Sequence, residues 1–364
     1  MKKSIFFILL FINTGLFAQK VISVDPELNF EKFWTAYEQK YPFFADKKIN
    51  WQSEYKKYRP LVNKSISNDS LFQILAHLIA PLNDAHVEVH THGEKIEKKF
   101  WARKPSKFSN EFQFSKDSLH YFWRAVDSTL FHKGFTNIKS SGGIYEDSLR
   151  QFYYSKSKDL GYIRFIDCSF GNGSSGINLL ELDTIFSFLN SPKALILDIR
   201  FNRGGGEGVA LKVAGRFADK TPKGALRYRR KKKGGYSDFV KLSSFRNKPH
   251  PSKRTKYLGP VYLLTNDRTV SAGDLLALYM SQLPNVTIIG DNTEGSFDGF
   301  RYEFLPNGWH FSVPQKRYVR ATDNLSYEGV GISPDIKVAN KRIDINEKID
   351  RVLLRVFEEL EKNK

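Results

Sequence analysis

From residue 161 onward, short runs of continuous apolar character alternate with amphipathic runs of helical length, and this alternation constrains the fold more than any other feature of the chain. GYIRFID (161–167) reads as a strand and INLLELDTIFSFLN (177–190) as a helix; ALILDIR (194–200) reads as a buried strand and GVALKVAGRF (208–217) as a helix. VYLLT (261–265), SAGDLLALYMSQL (271–283) and VTIIG (286–290) repeat the pattern as strand, helix and strand. Strands separated by helices pair through crossovers, so the pattern predicts an α/β fold built on a largely parallel sheet. Ile349, Leu353, Val356 and Leu360 mark a C-terminal helix whose start is signalled by Asp344.

The front of the chain has a different period. Phe30, Phe33, Trp34, Tyr37 and Tyr41 share one helical face over 28–41, and Leu71, Ile74, Leu75 and Leu78 do so over 69–80, which predicts a small helical unit ending at Pro81. Between about 93 and 158 the pattern weakens into charged and aromatic segments that read as short strands and loops. The expected organisation is a leader over 1–18, a helical unit over 19–92, a connecting region over 93–158, a core over 159–340 and a terminal helix over 341–364. A length of 364 residues, at about 150 per domain, agrees with two or three domains.

The opening MKKSIFFILLFINTGLFA has a basic start at Lys2 and Lys3, an apolar run from Ile5 to Ile12, and Ala18 before Gln19. That run is too short for a bilayer core of about 30 Å, so it reads as a secretory signal peptide and the protein is expected to be exported, to the periplasm or beyond the cell. No cysteine follows it to carry a lipid anchor. Cys168 is the one cysteine of the chain, which excludes an intramolecular disulfide framework and any multi-cysteine metal site. The net charge of +18 is concentrated in part at Arg227, Arg229, Arg230, Lys231, Lys232 and Lys233, interrupted by Gly234 and Gly235. A solvated hairpin explains the run; a weak grip on the anionic surface of an envelope stays open, while export argues against nucleic acid.

Chemistry in α/β layers collects where strands end and helices begin. At one such junction LILDIR runs into Gly204, Gly205 and Gly206, where a backbone with positive φ can present its N–H groups either to an anion or merely to a tight turn. No Lys-Ser/Thr pair follows these glycines, which weakens a nucleotide reading. At the other junction Ser271 stands at the mouth of an amphipathic helix. It is either an N-cap or a nucleophile backed by the helix N-terminus.

LNDAHVEV (82–89) places His86 after the helical unit, GDNTEGSFDGF (290–300) forms a glycine loop, and YEGVGISPDIKV (327–338) carries Glu328. In the order LILDIR-x-x-x-GG, LTN-x-x-TVSAGD, IIG-x-x-T-x-G and EG-x-GI-x-PD, these segments resemble the S41 serine peptidases, the tail-specific and tricorn-like processing enzymes. The resemblance covers roughly 28–92 and 160–340. It implies a crotonase-like α/β core and one of two catalytic designs. The serine-lysine design would put a lysine after Gly295, where Ser296 stands instead. The tricorn-like design takes its base from the histidine of L-x-D-x-H and support from a glutamate before G-I-x-P-D, which fits Leu82 to His86 and Glu328. Ala85 stands where tricorn-like members have a serine, so a fourth, auxiliary group is missing.

The resemblance therefore implies Ser271 as nucleophile, His86 as general base and Glu328 as its support. It further implies an oxyanion hole from the N–H of Ala272 and of Gly204 or Gly205, and a substrate path past Gly295 and Ser296. An imidazole with an ordinary pKa near 6.5 can take and return the Ser271 proton around neutrality. No cofactor is called for. His86, His90 and His92 would share one face of a strand near Glu88, yet this spacing alone is a weak metal signature and a structural reading of His90 and His92 is preferred. No carboxylate-binding PDZ loop is visible between 93 and 158. Protein or peptide substrates are expected; the alternative is a noncatalytic relative that keeps the fold and binds peptide or lipid in the envelope.

Overall fold

The computed structural model describes residues 25–93, 97–113, 115–143, 150–169, 179–232, 234–242 and 247–362. The leader expected over 1–18 lies outside them. Among the described residues no helix is long and apolar enough to cross a membrane.

The alternating pattern folds as a seven-stranded sheet. Leu160–Phe165, Ala194–Asp198, Val261–Thr265, Val286–Gly290 and Ile336–Lys337 run parallel in chain order, and Arg150–Lys156 and Lys139–Gly143 continue the sheet antiparallel at one edge. Successive side chains in these strands point to opposite layers. Leu195, Leu197 and Leu263 join the helices Leu179–Leu189, Glu207–Ala214 and Ala272–Met280 in one core, whereas Ile196, Tyr262 and Leu264 join Lys116–His132 and Arg351–Lys362 in another. Burial on both faces explains why the strands read as unbroken apolar runs. Each buried Leu or Ile contributes about 1.5–3 kcal/mol of transfer free energy.

Two expectations need correction. The 93–158 region holds the 17-residue helix Lys116–His132 as well as strands; Phe122, Ala125, Val126 and Leu130 are its buried stripe, and reciprocal Ser115–Ser118 hydrogen bonds cap its start. Its polar and aromatic surface residues obscured that period. The terminal helix begins at Arg351, not near Asp344: Asp350 Oδ1 accepts the N–H groups of Val352 at 3.0 Å and Leu353 at 3.3 Å, while Asp344 caps a separate turn, Arg342–Asn346.

The helical front end is also not closed at residue 92. Its helices Pro26–Lys40, Trp51–Tyr58 and Asn68–Ile79 pack on a four-stranded antiparallel sheet in the order Phe300–Phe304, His310–Pro314, Glu88–His90, Lys99–Trp101. Phe311, Val313 and Trp309 thus complete an aromatic core begun by Phe33, Tyr37 and Trp51. The basic run forms the expected hairpin, Ala225–Arg230 against Phe239–Lys241, but it is not wholly solvated. Arg230 is buried, donating to the Tyr41 carbonyl at 3.1 Å with its guanidinium 4.8 Å from the Tyr236 ring centroid, which docks the hairpin onto the front end.

At the carboxyl end of the central strand, Arg200 is buried between Asp198 and Asp350, with Nη2 2.6 Å from Asp198 Oδ2 and 2.7 Å from Asp350 Oδ2. The pair of carboxylates also accepts from the Tyr162 hydroxyl, at 3.0 Å, and the Asn340 amide, at 3.1 Å. Removing the cation would strand two buried acids. Arg200→Met is therefore expected to destabilise the protein by about 3–5 kcal/mol, read as a lower midpoint in urea unfolding at pH 7; a change under about 0.5 kcal/mol, the surface-substitution range, would contradict the role given to this triad.

Candidate active site

The strand ends deliver three loops to one place. Ile199 N–H bonds Leu264 O at 3.0 Å, Val270 N–H bonds Asn202 O at 3.0 Å, and the Thr269 hydroxyl donates to Ile199 O at 2.9 Å, so the glycine-rich turn and the Ser271 loop are laced together. Gly204 and Gly205 have φ of 83° and 130°, and a Cβ on Gly204 would lie 2.5 Å from Ser271 Cβ. Only glycine allows that approach.

Ser271 is half-buried, with φ 61° and ψ −121°. An ordinary N-cap residue is extended. A non-glycine residue held in this region costs on the order of 1–3 kcal/mol and is concentrated at functional sites, as at the strained strand-to-helix turn that presents a nucleophilic serine. Asp274, one turn into the helix, holds the strain in place. Its Oδ2 accepts the N–H of Ser271 at 2.8 Å and of Ser296 at 3.1 Å, and its Oδ1 accepts the N–H of Gly295 at 2.8 Å. Burial, outweighing these bonds, raises the Asp274 carboxyl to about 6.

Gly295 and Ser296, expected along the substrate path, are thus buried ties whose N–H groups are committed to Asp274. The Ser296 hydroxyl accepts the N–H of Ala85 at 3.4 Å, which joins the segment carrying His86 to the same carboxylate. His86 is buried; its N–H donates to Asp84 Oδ1 at 2.9 Å, its carbonyl accepts the Ser312 hydroxyl at 2.7 Å, and its ring makes no hydrogen bond among the described residues. Burial first, with the Arg103 and Lys47 charges, holds its pKa below 6.5 against the opposing pull of Asp84 and Glu88. The imidazole is therefore neutral at physiological pH.

Of the expected oxyanion donors, Gly204 N–H is bonded to Asn202 Oδ1 at 2.9 Å. Gly205 N–H has no partner among the described residues, and Ala272 N–H, at the first helical position, has none within its helix. Glu328 is buried, with Oε2 accepting the Phe297 N–H at 3.1 Å and Oε1 without a hydrogen-bond partner among the described residues. Burial and then the Asp84 charge hold its carboxyl well above the usual carboxylate range.

The residues the sequence reading missed are Lys47 and the role of Asp84. Lys47 Nζ lies 3.6 Å from Asp84 Oδ2 and 3.7 Å from Glu328 Oε1, and donates to the Leu82 carbonyl at 2.8 Å. Asp84 also accepts the Tyr41 hydroxyl at 2.9 Å. Asp84 was inside the L-x-D-x-H motif and could have been singled out there. Nothing in PFFADKKIN distinguishes Lys47 from the exposed Lys48 that follows it.

Two segments of the chain match peptidase family models. Residues 159–338 match the family model of Peptidase family S41, and residues 24–80 match that of the Tricorn protease C1 domain. A candidate peptidase from Parabacteroides merdae superposes with a TM-score of 0.74 at 27% identity, covering 93% of this chain and 97% of its own. Mature CPAF complexed with lactacystin superposes with a TM-score of 0.65 at 14% identity, over 89% and 95%, a likeness of fold. The nisin-resistance protein of Lactococcus lactis subsp. lactis is 28% identical over 160 residues, 42% of this chain and 48% of that protein, so the chain spans about half the length of this curated relative.

Two outcomes follow from the electrostatics. The His86 ring, followed by NMR, is expected to titrate below 6.5; because the folded state binds that proton more weakly than the unfolded chain, its contribution to stability is lost as pH falls from 6.5 toward the folded value. A midpoint above 6.5 would refute the buried neutral imidazole. Lys47→Met leaves Asp84 and Glu328 facing each other without their cation, at a cost of about 3–5 kcal/mol near neutrality. The folded pKa of Glu328 would rise further, so the loss should grow as pH increases through it; equal thermal-midpoint losses at pH 5 and pH 8 would count against this.

Proposed function

The chain belongs to peptidase family S41, and on that premise we propose that it is an exported serine endopeptidase that hydrolyses peptide bonds through an acyl-enzyme. The observation that carries this reading is the Asp274 carboxylate, whose hydrogen bonds join the strained Ser271 turn to the loop that touches the His86 segment. Ser271 is the nucleophile. His86, neutral in its buried setting, accepts the hydroxyl proton as the carbonyl is attacked and returns it to the leaving amine. Developing negative charge on the carbonyl oxygen falls to the N–H groups of Ala272 and Gly205, each such donor being worth roughly 3–4 kcal/mol in related chemistry.

Glu328 supplies the third member through electrostatics. Its buried carboxyl, one oxygen of which has no hydrogen-bond partner among the described residues, favours the proton transfer when it is ionised, by stabilising the positive imidazolium. Lys47 tempers this acid so that Asp84 and Glu328 can share one buried region. Export rests on the leader over 1–18, and substrates are proteins or peptides that meet the enzyme outside the cytoplasm. No cofactor enters the mechanism.

The test is covalent labelling. A fluorophosphonate probe is expected to modify the intact protein at Ser271, with labelling and casein cleavage both abolished in Ser271→Ala and both reduced by at least about a hundredfold, the usual worth of a general base, in His86→Ala. Folding of each variant is checked by circular dichroism. Casein cleavage that survives Ser271→Ala would end this reading and favour a noncatalytic binding protein contaminated by another protease.

A further inference from the structure

The four-stranded sheet of the front end has one face too few in contact. Val89, Phe311 and Val313 turn inward to the aromatic core. The opposite face is set by register: Phe304 pairs with His310, His310 with His90 and His90 with Lys99, while Tyr302 pairs with Ser312 and Glu88 with Trp101. Large rings therefore line a solvent face. Phe300 is 42% exposed, Tyr302 47%, Phe304 55% and Trp101 52%. Phe300, Tyr302 and Phe304 lie on one strand of that face, and an exposed aromatic row of this kind is a candidate binding surface.

These rings touch in series. Ring centroids lie 5.6 Å apart for His86 and Phe300, 5.1 Å for Phe300 and Tyr302, 5.3 Å for Tyr302 and His310, and 4.5 Å for His310 and His90. The carboxylate of Glu88 is set into this face and is already occupied: it accepts the Tyr302 hydroxyl and lies 3.2 Å from His90 Nε2 and 3.1 Å from Lys99 Nζ. The Lys99 ammonium also covers Trp101, 3.9 Å from its ring centroid, so the apolar surface left for a ligand is the row Phe300, Tyr302 and Phe304.

We propose that this sheet face is the docking platform for the leaving side of the polypeptide substrate, and that it selects aromatic or long aliphatic side chains beyond the scissile bond. The inference rests on the peptidase reading above and adds its substrate preference. Its basis is continuity. The base of a serine peptidase hands its proton to the leaving amine, so the chain that follows the scissile bond departs past the imidazole. At His86 the first ring met is Phe300, and the row continues along the strand to Phe304. At about 3.4 Å per residue for both extended chains, this row faces roughly the second to fifth residues after the cut. Such a segment presents alternate side chains to one face with the spacing of the Phe300, Tyr302 and Phe304 rings.

The experiment uses the full chain and a proteome-derived peptide mixture, with new termini read by mass spectrometry. Phe, Tyr, Trp and Leu are expected to be enriched at positions two to five of the newly formed N-termini. Two internally quenched peptides are then built on the best-cleaved sequence, one keeping that aromatic residue and one with Ser in its place. Phe304→Ala is expected to lower kcat/KM on the aromatic peptide about tenfold, the scale of one apolar contact, and to change the Ser peptide and the rate of fluorophosphonate labelling far less. Phe304→Leu should restore most of the loss. Absence of enrichment, equal slowing of both peptides, or variants that instead dissociate a dimer or release the protein from anionic vesicles without changing peptide selectivity would overturn the proposal. Failure of the unmodified chain to label or cleave would sink the peptidase reading itself, whereas labelling and cleavage without this preference sinks the platform alone.

Discussion

Asp274 is the group on which the candidate site depends. A buried carboxylate gathers three N–H groups from two segments that are more than 20 residues apart, and in doing so holds Ser271 in a backbone conformation that an unaided serine would leave. Charge-assisted bonds of this type are about twice as strong as neutral ones, and they offset part of the cost of burying the acid. The raised Asp274 pKa records that the balance is close. Because the Ser296 tied to it also meets the Ala85 N–H, the same carboxylate relates the front end to the core.

Around that tie the protein keeps a high density of buried charge, and several of these charges are paired. Arg200 is matched by Asp198 and Asp350 beneath the strand ends, Lys47 by Asp84 and Glu328 behind the histidine, and Arg103 by Glu294 beside the loop. Buried pairs are a poor source of stability, but removing one member leaves a costly remainder. Their effect is to fix loop positions. In a site of the proposed kind, with a hydroxyl, an imidazole and backbone donors in register, fixed positions are what proximity catalysis requires.

Much of the fold was legible because it rests on periodicity. Strands buried on both faces and helices with one buried stripe write their pattern locally, and the resemblance of four ordered segments to the S41 peptidases pointed to Ser271, His86 and Glu328. The signal failed where local pattern and tertiary role part company. The helix Lys116–His132 buries a narrow stripe and shows water a mixture of aromatic and charged residues. Asp344 and Asp350 are equally plausible caps by composition, and Arg200 together with the start of the last helix selects Asp350. Phe311 and Val313 read as part of the core segment, yet they complete the front end.

The sequence alone determined the alternation of strands and helices, the largely parallel pairing and the junctions at which polar and glycine residues gather, since these follow from side-chain period and backbone freedom along a few neighbouring residues. Only the tertiary structure decided which lysine stands between two acids, which glycine N–H is spent on Asn202, and which face of the small sheet shows its rings to solvent. Those outcomes depend on desolvation and on contacts between residues as far apart as Lys47 and Glu328, and no local pattern encodes a neighbour that arrives from the other end of the chain.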